Sequence, residues 1–455
     1  MSGADMSPFP SFGTDGVRGV AIVEVSPEYV MALGRAVARV LKPSRVVLGR
    51  DPRLSGPVLE AAFSAGVSAE GVRVEEFGVL PTPALAMIAA VENVPAVVIT
   101  ASHNKYTDNG VKVFAAGGRK LLDEQERAIE SETLRILSEG TGPIRRDLEV
   151  GVVMRRSDGT SMYVDHLVDI FGEGSLAGLR IVVDTANGAM SKVAPLLLQR
   201  LGADVIVMND APDGTNINAD CGATSPRALC EFISGTGTGV SVDLGFAFDG
   251  DGDRVIAVDE NGRIVDGDRL IALSAIDRKS AGTLVGNTVV VTVMTNLGFH
   301  RAMAATNIDV VTTGVGDRLV LEAMESGGYV LGGEQSGHII HGDLATTGDG
   351  LLAAVVLARS LRASGERFSR VASDVMTTFP QVLKNVRVAR RPDDVTSLLA
   401  ADIASEEAIL GSDGRVLVRS SGTEPLVRVM VEAATIEDAE ASVNRLIAVV
   451  EQRLS

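Results

Sequence analysis

The sequence predicts an α/β protein made from one repeated layer unit and closed by a smaller α+β domain. Two observations carry this. A strand, a glycine- or asparagine-bearing loop, a helix and a second strand recur three times. Past about residue 378 the pattern changes to strands flanking a helix, and an amphipathic helix follows. A chain of 455 residues fits roughly three or four domains of ordinary size.

The first copy reads "SRVVLGRDPR", then the helical "GPVLEAAFSAGVSAEG", then the strand "VRVEEFGVL". The second is "LRIVVDTANGAM", "SKVAPLLLQRLG" and "ADVIVMND". The third is "TVVVTVMTNLG", "FHRAMAATN" and "IDVVTTGVGDR". Alternation of this kind predicts helices layered on largely parallel sheet. Right-handed crossovers put the loop after each first strand on one edge of its sheet. In the tail, "FPQVLKNVRVA" and "GRVLVRSSGTEPLVRVMVEAAT" read as strands around a helix over 395–410, and "IEDAEASVNRLIAVVEQRL" reads as the last helix. Breaks are expected near residues 155, 258 and 372, giving domains 1–155, 156–258, 259–371 and 372–455. The last falls in "RASGERFSRVASD", a linker or a joining helix.

Composition is that of a soluble globular protein, 45% hydrophobic and 22% charged. A net charge of -17 argues against sequence-independent nucleic-acid binding and against anionic membrane surfaces. A small anionic substrate needs only local cations. Cys221 and Cys230 fit no zinc spacing and no disulfide framework, so both are expected reduced, in the cytoplasm. "MSGADMSPFP" has neither a basic nor an apolar leader segment, and the apolar runs break well short of a membrane span.

Three stretches carry chemistry. In "TASHNKYTDNGVK", Ser102 follows a buried strand amid His103 and Lys112. A strand-end loop is a place for chemistry because the sheet positions it, yet a bare serine needs help to act as a nucleophile. In "GFAFDGDGDRVIAVDENG", Asp249, Asp251 and Asp253 alternate with glycines. Carboxylates this close repel unless a cation sits among them, and all-oxygen donors suit Mg²⁺ or Ca²⁺. An EF-hand loop fails, since its sixth position must be glycine and is Arg254 here. Its flanks must also be helices, and these read as strands. An aspartyl-phosphate hydrolase, with Asp249 as nucleophile, stays open; in that reading Ser102 has no role. In "RSSGTEPLVR", small hydroxyl residues around a glycine can turn backbone N–H groups toward an anion. Arg419 and Arg428 add forked donors of the kind that grip phosphate.

Two further loops join these. "FGTDGVRG" places Arg18 on a glycine-rich turn, and "GGEQSGHII" presents Glu334, Ser336 and His338 after an apolar strand. A carboxylate beside a hydroxyl suits sugar hydroxyls as partners. His338 reads equally as a supporting or a catalytic histidine. Together the loops suit phosphoryl transfer, where positioning and electrostatics supply most of the catalysis. Lys112 and His103 are the groups to move protons.

In this order, "FGTDGVRG", "TASHN", "DNGVK", "DGDGDR", "GGEQSGH" and "RSSGTEPLVRVMVE" resemble the α-D-phosphohexomutases over nearly the whole chain. The resemblance implies three related three-layer α/β domains with mixed sheets, and a C-terminal α+β domain of TATA-binding-protein-like topology. It implies an isomerase that carries a phosphoryl group on Ser102. Asp249, Asp251 and Asp253 would hold one Mg²⁺ with the serine phosphate. Lys112, His103 and Arg18 would be catalytic. Glu334, Ser336, His338 and Arg254 would bind the sugar. Arg419, Ser421, Gly422, Thr423 and Arg428 would hold the phosphate that is not reacting. A sugar 1,6-bisphosphate would be the activator, and the enzyme would be a monomer or homodimer. Gln335 stands where family members acting on mannose and glucose phosphates tend to have methionine. It points instead to glucosamine phosphates and the supply of UDP-N-acetylglucosamine for cell-wall precursors. The mannose and glucose phosphates, and a sugar-phosphate binder without catalysis, remain alternatives. Three positions depart from the family pattern: Lys105 replaces a usual proline, Ser420 a frequent lysine and Ser225 a usual histidine.

Overall fold

A computed structural model describes residues 9–13, 15–141, 149–235, 241–389, 392, 394–420 and 426–454. Two compact units emerge: Met1–Val293 with Asp309–Ala372, and Met294–Ile308 with Ser373–Ser455.

The first unit holds three sheets. The first contains β1 (Phe12–Gly13), β2 (Gly16–Val20), β3 (Arg45–Arg50), β4 (Arg73–Val79), β5 (Ala96–Ile99), β6 (Asp108–Phe114) and β7 (Val153–Arg155), in the order β1-β2-β6-β5-β3-β4-β7. The second contains β8 (Arg180–Asp184), β9 (Asp204–Met208), β10 (Leu244–Phe248), β11 (Val255–Asp259) and β12 (Ile264–Val265), in the order β12-β11-β10-β8-β9. The third contains β13 (Thr288–Thr292), β14 (Asp309–Thr313), β15 (Leu331–Gly333) and β16 (Ile339–His341), in the order β14-β13-β15-β16.

All three sheets are mixed rather than largely parallel, and for one shared reason. Strands joined through a helix pair in parallel: β3 with β4, β8 with β9, β13 with β14. Strands joined by a short loop must reverse direction. So β5 with β6, β10 with β11 and β15 with β16 are antiparallel. The three reversing loops carry Ser102, the aspartates, and Glu334 to His338. One architectural position, used three times, supplies three motifs.

Helices cover the first sheet closely. Tyr29 N donates to the cap residue Ser26 at the start of helix Pro27–Leu41. That helix packs on Gly56–Ser68, and a Cβ at Gly66 would lie 2.2 Å from Met31 O, so only glycine allows the approach. Leu33, Leu59 and Phe63 are fully buried between them. Burial of each such side chain stabilises by about 1.5–3 kcal/mol.

In the second unit β17 (Gln381–Arg387), β18 (Arg415–Ser420) and β19 (Leu426–Glu432) form an antiparallel sheet in the order β17-β19-β18. Helix Ile436–Leu454 lays Val443, Leu446 and Val450 on Val427, Val429 and Val431 of β19. The helix of the third repeat, Leu297–Ala305, belongs to this unit. Its N-terminus seats on the fully buried Glu432, which accepts from Leu297 N at 2.9 Å and is paired with Arg415 at 3.1 Å. The third repeat is therefore continuous in sequence and shared between two units in space. Among the described residues no helix is long and apolar enough to cross a membrane.

Candidate active site

β5 is a four-residue buried strand. The chain leaves it through Thr100, whose Oγ1 accepts from Ser102 N at 2.9 Å. Ser102 then turns left-handed, with φ 51°. That costs a residue with a Cβ roughly 1–2 kcal/mol. The turn aims its hydroxyl at the reversing loop of the second sheet, where Oγ donates to Asp249 Oδ2 at 2.7 Å. His103 Nδ1 lies 3.5 Å from the same Oγ. Burial, aided by Arg254 and Arg18, pushes the His103 pKa down to about 4.

The aspartate loop curls because Gly252 takes φ 75°. Asp249 Oδ1 accepts from Gly252 N and Arg254 N at 3.1 and 3.2 Å. Asp251 Oδ2 takes the Thr82 hydroxyl at 2.6 Å and Lys112 Nζ at 2.9 Å. Asp253 Oδ2 takes Lys112 Nζ at 2.8 Å. Asp251 Oδ1 and Asp253 Oδ1 are left buried without a hydrogen-bond partner. One oxygen from each of the three carboxylates falls within 4.8 Å of the others. Burial, then repulsion from Asp253 and Asp251, drives the Asp249 pKa well up. Buried carboxylate oxygens without partners are costly; a hard divalent cation among them removes the cost. The donor set thus fits Mg²⁺.

Lys112 projects from β6, paired with Val98 of the neighbouring strand. Three carboxylates surround it: Asp15 at 2.8 Å, Asp251 and Asp253. Burial alone would lower its pKa, but these charges hold it well above the ordinary lysine value. Asp15 also meets Arg18 at 2.5 Å and Lys120 at 3.1 Å. Its own carboxyl is lowered by Lys112, Lys120 and Arg18 against the opposing effect of burial. Lys120 pairs in turn with Asp317. His338 lies 3.7 Å from both Asp317 and Asp253. Burial would lower its pKa, and the two aspartates raise it. The result is a closed ring of alternating charge, Asp15, Lys112, Asp253, His338, Asp317 and Lys120. Opposite charges at such separations offset one another's burial.

The third reversing loop is tied to the second sheet, since Gly337 O accepts from Val255 N at 3.0 Å. Glu334 Oε1 accepts from Gly316 N at 3.1 Å, and its charge is felt by Arg254. Ser336 is exposed at the loop tip. So the first unit gathers Ser102, His103, Lys112, Arg18, the three aspartates, Arg254 and His338 into one connected set, with Glu334 at its edge.

The second unit holds the arginines. Arg419 and Arg428 stand directly opposite each other on β18 and β19. Burial, then Arg428, lowers the Arg419 pKa, and Arg428 Nε is buried without a hydrogen-bond partner. Like charges opposed on a sheet destabilise it unless an anion lies between them. Ser421, Gly422 and Thr423 lie outside the described residues. Ser420 donates to Pro392 O at 2.9 Å. Lys105 is exposed, and Ser225 sits in a turn with its N–H on Gly222 O.

Sequence reasoning passed over Asp15, Thr82, Lys120 and Asp317, and also Arg53 and Asn218, which reach the Ser102 loop. Asp15 had a signal, as an acid inside the quoted "FGTDGVRG". Thr82, in "LPTPA", shows only a helix start between prolines. Nothing local marks Asp317 or Asn218.

Comparison with known proteins identifies the family. The four domains of the phosphoglucomutase/phosphomannomutase family match in order: alpha/beta/alpha domain I at residues 10–139, domain II at 161–262, domain III at 266–379 and the C-terminal domain at 383–448. A phosphoglucosamine mutase of Desulforudis audaxviator is 49% identical, over 93% of both chains. One of Carboxydothermus hydrogenoformans is 47% identical, over 97% of this chain and 99% of its own. Among solved structures, a family protein of Burkholderia thailandensis superposes with TM-score 0.80 at 24% identity, covering 97% of this chain and 98% of its own. N-acetylphosphoglucosamine mutase of Aspergillus fumigatus, solved with GlcNAc-6P and magnesium, gives 0.70 at 18% identity, covering 99% and 98%. At those identities the solved structures attest the fold.

Proposed function

We propose that this chain, which belongs to the phosphoglucomutase/phosphomannomutase family, interconverts glucosamine 6-phosphate and glucosamine 1-phosphate, with Ser102 as phosphoryl carrier. The observation that carries the reading is the Ser102 hydroxyl, 2.7 Å from Asp249 in a buried three-aspartate cluster. Full-length relatives named phosphoglucosamine mutase support the choice of sugar.

The reaction begins with a phosphoryl group on Ser102. Glucosamine 6-phosphate binds with its phosphate between Arg419 and Arg428, two like charges that face each other on neighbouring strands and suit an anion. Glu334 and Ser336 take sugar hydroxyls, and Arg18 and Arg254 face the reacting phosphoryl group. The sugar O1 attacks phosphorus, the bond from phosphorus to Ser102 Oγ breaks, and the 1-hydroxyl proton passes to Lys112 Nζ in its free-amine form. His103 Nδ1, neutral and near Oγ, is the second proton-carrying group. The 1,6-bisphosphate then reverses in place; Ser102 Oγ attacks the 6-phosphorus, the bond from phosphorus to O6 breaks, O6 takes the proton back from Lys112 Nζ, and glucosamine 1-phosphate leaves. Asp249, Asp251 and Asp253 would hold a Mg²⁺ ion, which when bound would supply charge neutralisation for phosphoryl oxygens and offset the carboxylate charge around Lys112. Added sugar 1,6-bisphosphate would act as the activator by charging Ser102. An aspartyl-phosphate hydrolase is disfavoured because Asp249 is the partner of Ser102 rather than a lone nucleophile. With two free cysteines, one of them buried, we place the enzyme in the cytoplasm, as a monomer or homodimer.

The test is isomerisation of glucosamine, glucose and mannose 6-phosphates with Mg²⁺ and glucose 1,6-bisphosphate, with intact-mass analysis during turnover. Glucosamine 6-phosphate is expected to be preferred, with a phosphoryl adduct on Ser102. Ser102→Ala should lose the adduct and at least about 10⁴-fold in kcat. An adduct on Asp249, or turnover by the alanine variant, would overturn the reading.

A further inference from the structure

The left-handed turn at Ser102 needs support from outside its own loop, and the structure supplies it from two directions. Arg53, just beyond β3, is fully buried. Its Nε donates to Asp51 Oδ2 at 2.8 Å. Its Nη2 donates to Ser102 O at 2.8 Å and Asn104 O at 2.9 Å. Its Nη1 donates to Asp108 O at 3.1 Å and to Lys105 O. All five guanidinium donors are thereby engaged, four of them on carbonyls between Ser102 and Asp108, the first residue of β6. Asp51 Oδ2 also accepts from Thr100 Oγ1 at 2.7 Å, and Thr100 Oγ1 in turn receives Ser102 N.

Asn218 comes from the second sheet's side, on the loop that follows β9. It is itself left-handed, at φ 56°. Its Nδ2 donates to the same two carbonyls, Ser102 O at 2.9 Å and Asn104 O at 3.1 Å. Gly250 of the aspartate loop closes the arrangement. A Cβ there would lie 2.6 Å from Ser102 O and 2.7 Å from Asn218 Nδ2.

We propose that Arg53 and Asn218 are positioning residues, a two-armed brace that fixes the main chain of Ser102 and so aims its oxygen between the aspartates and the sugar. Backbone held away from its preferred region persists only where the surroundings over-determine it. Here the overdetermination is two donors on each of two carbonyls. Because one arm belongs to each of two sheets, Ser102 is aimed only when the aspartate loop is seated beside it. The brace also accounts for the tolerance of Lys105: its carbonyl is held by Arg53, so a proline is not needed to set the loop.

This inference rests on the phosphoserine reading, and the experiment separates the two. Asn218→Ala and Arg53→Lys are compared with the parent for kcat, KM, thermal midpoint and the fraction of Ser102 phosphoryl lost to water per turnover. Asn218→Ala is expected to lower kcat about 10- to 100-fold, as small misplacements of reacting groups do. KM and thermal midpoint should stay near the parent's, and more phosphoryl should leak to water. Arg53→Lys should lose more. Parental kcat and leakage in Asn218→Ala, or a loss that merely tracks its folded fraction, would overturn the brace while leaving the phosphoserine in place. Should Arg53→Lys fail to fold, Asn218→Ala decides alone. A parent that carries no phosphoryl group on Ser102 would sink both proposals.

Discussion

The aspartate cluster and the arginine pair handle crowded like charge in opposite ways. In the first unit the negative groups bring partners with them. Lys112 bridges Asp15, Asp251 and Asp253, and the ring closes through His338 and Lys120. Asp251 Oδ1 and Asp253 Oδ1 are left without a hydrogen bond, the latter with His338 at 3.7 Å, and they point to a place for one cation. In the second unit Arg419 and Arg428 face each other across the ladder, and Arg428 Nε is buried without a hydrogen-bond partner. The first site carries its own counter-charges, and the second sets two like charges face to face. A resident metal and a phosphoryl carrier need a fixed geometry; a phosphate that binds and leaves needs an open one.

The strongest way to break this contrast is at the metal. Asp251→Asn, or chelation of the parent, should lower kcat about 10²-fold or more, with KM changing less. Titration of Mg²⁺ followed by calorimetry checks it, and unchanged metal affinity in the variant would remove Asp251 from the ligand set.

Next comes the phosphate end. Arg428→Ala should raise KM about 10- to 100-fold, the worth of a charge-assisted contact, with a smaller effect on kcat. Inorganic phosphate should raise the thermal midpoint of the parent and not of the variant. Equal protection of both would show that the arginines are not an anion site.

The smallest effect concerns a third treatment of charge, in which burial shifts the group toward its neutral form. Asp349 caps helix Gly350–Ser364 and both of its oxygens lie 2.7 Å from the Tyr163 hydroxyl. Burial pushes its pKa up to about 6 from 3.8. The folded chain therefore holds this proton more tightly than the unfolded chain. The stability that proton gives is full below pH 3.8 and is lost as pH rises through 6, a cost of about 3 kcal/mol at pH 8. Asparagine caps a helix equally well. Asp349→Asn should then gain in thermal midpoint over the parent, and gain more at pH 8 than at pH 5. A difference that does not change with pH would exclude this account.

Much of the architecture was legible because it is local. The three strand–loop–helix–strand copies, the strands either side of "DGDGDR" and the last helix follow from periodicity within a few residues. The sheets' mixed character came only with the family resemblance, since alternation of strand and helix suggests parallel pairing and the mixing depends on which strands are joined by short reversing loops. The site residues were legible as types: a serine after a strand, alternating aspartates, paired arginines. Thr82, Asp317, Arg53 and Asn218 were not, because each looks ordinary in its own segment and gains its role from a distant one.

By itself the sequence determined which chemical groups are present and on which kind of loop each one rides. The tertiary structure alone decided that Ser102 meets Asp249 across 147 residues, that Lys112 is ringed by three carboxylates, and that the helix over 297–305 serves a different unit from its flanking strands. The physical reason is range. Periodicity and turn preference act between neighbours in the chain. Burial and charge pairing act between neighbours in space, which exist only once the sheets have been laid down.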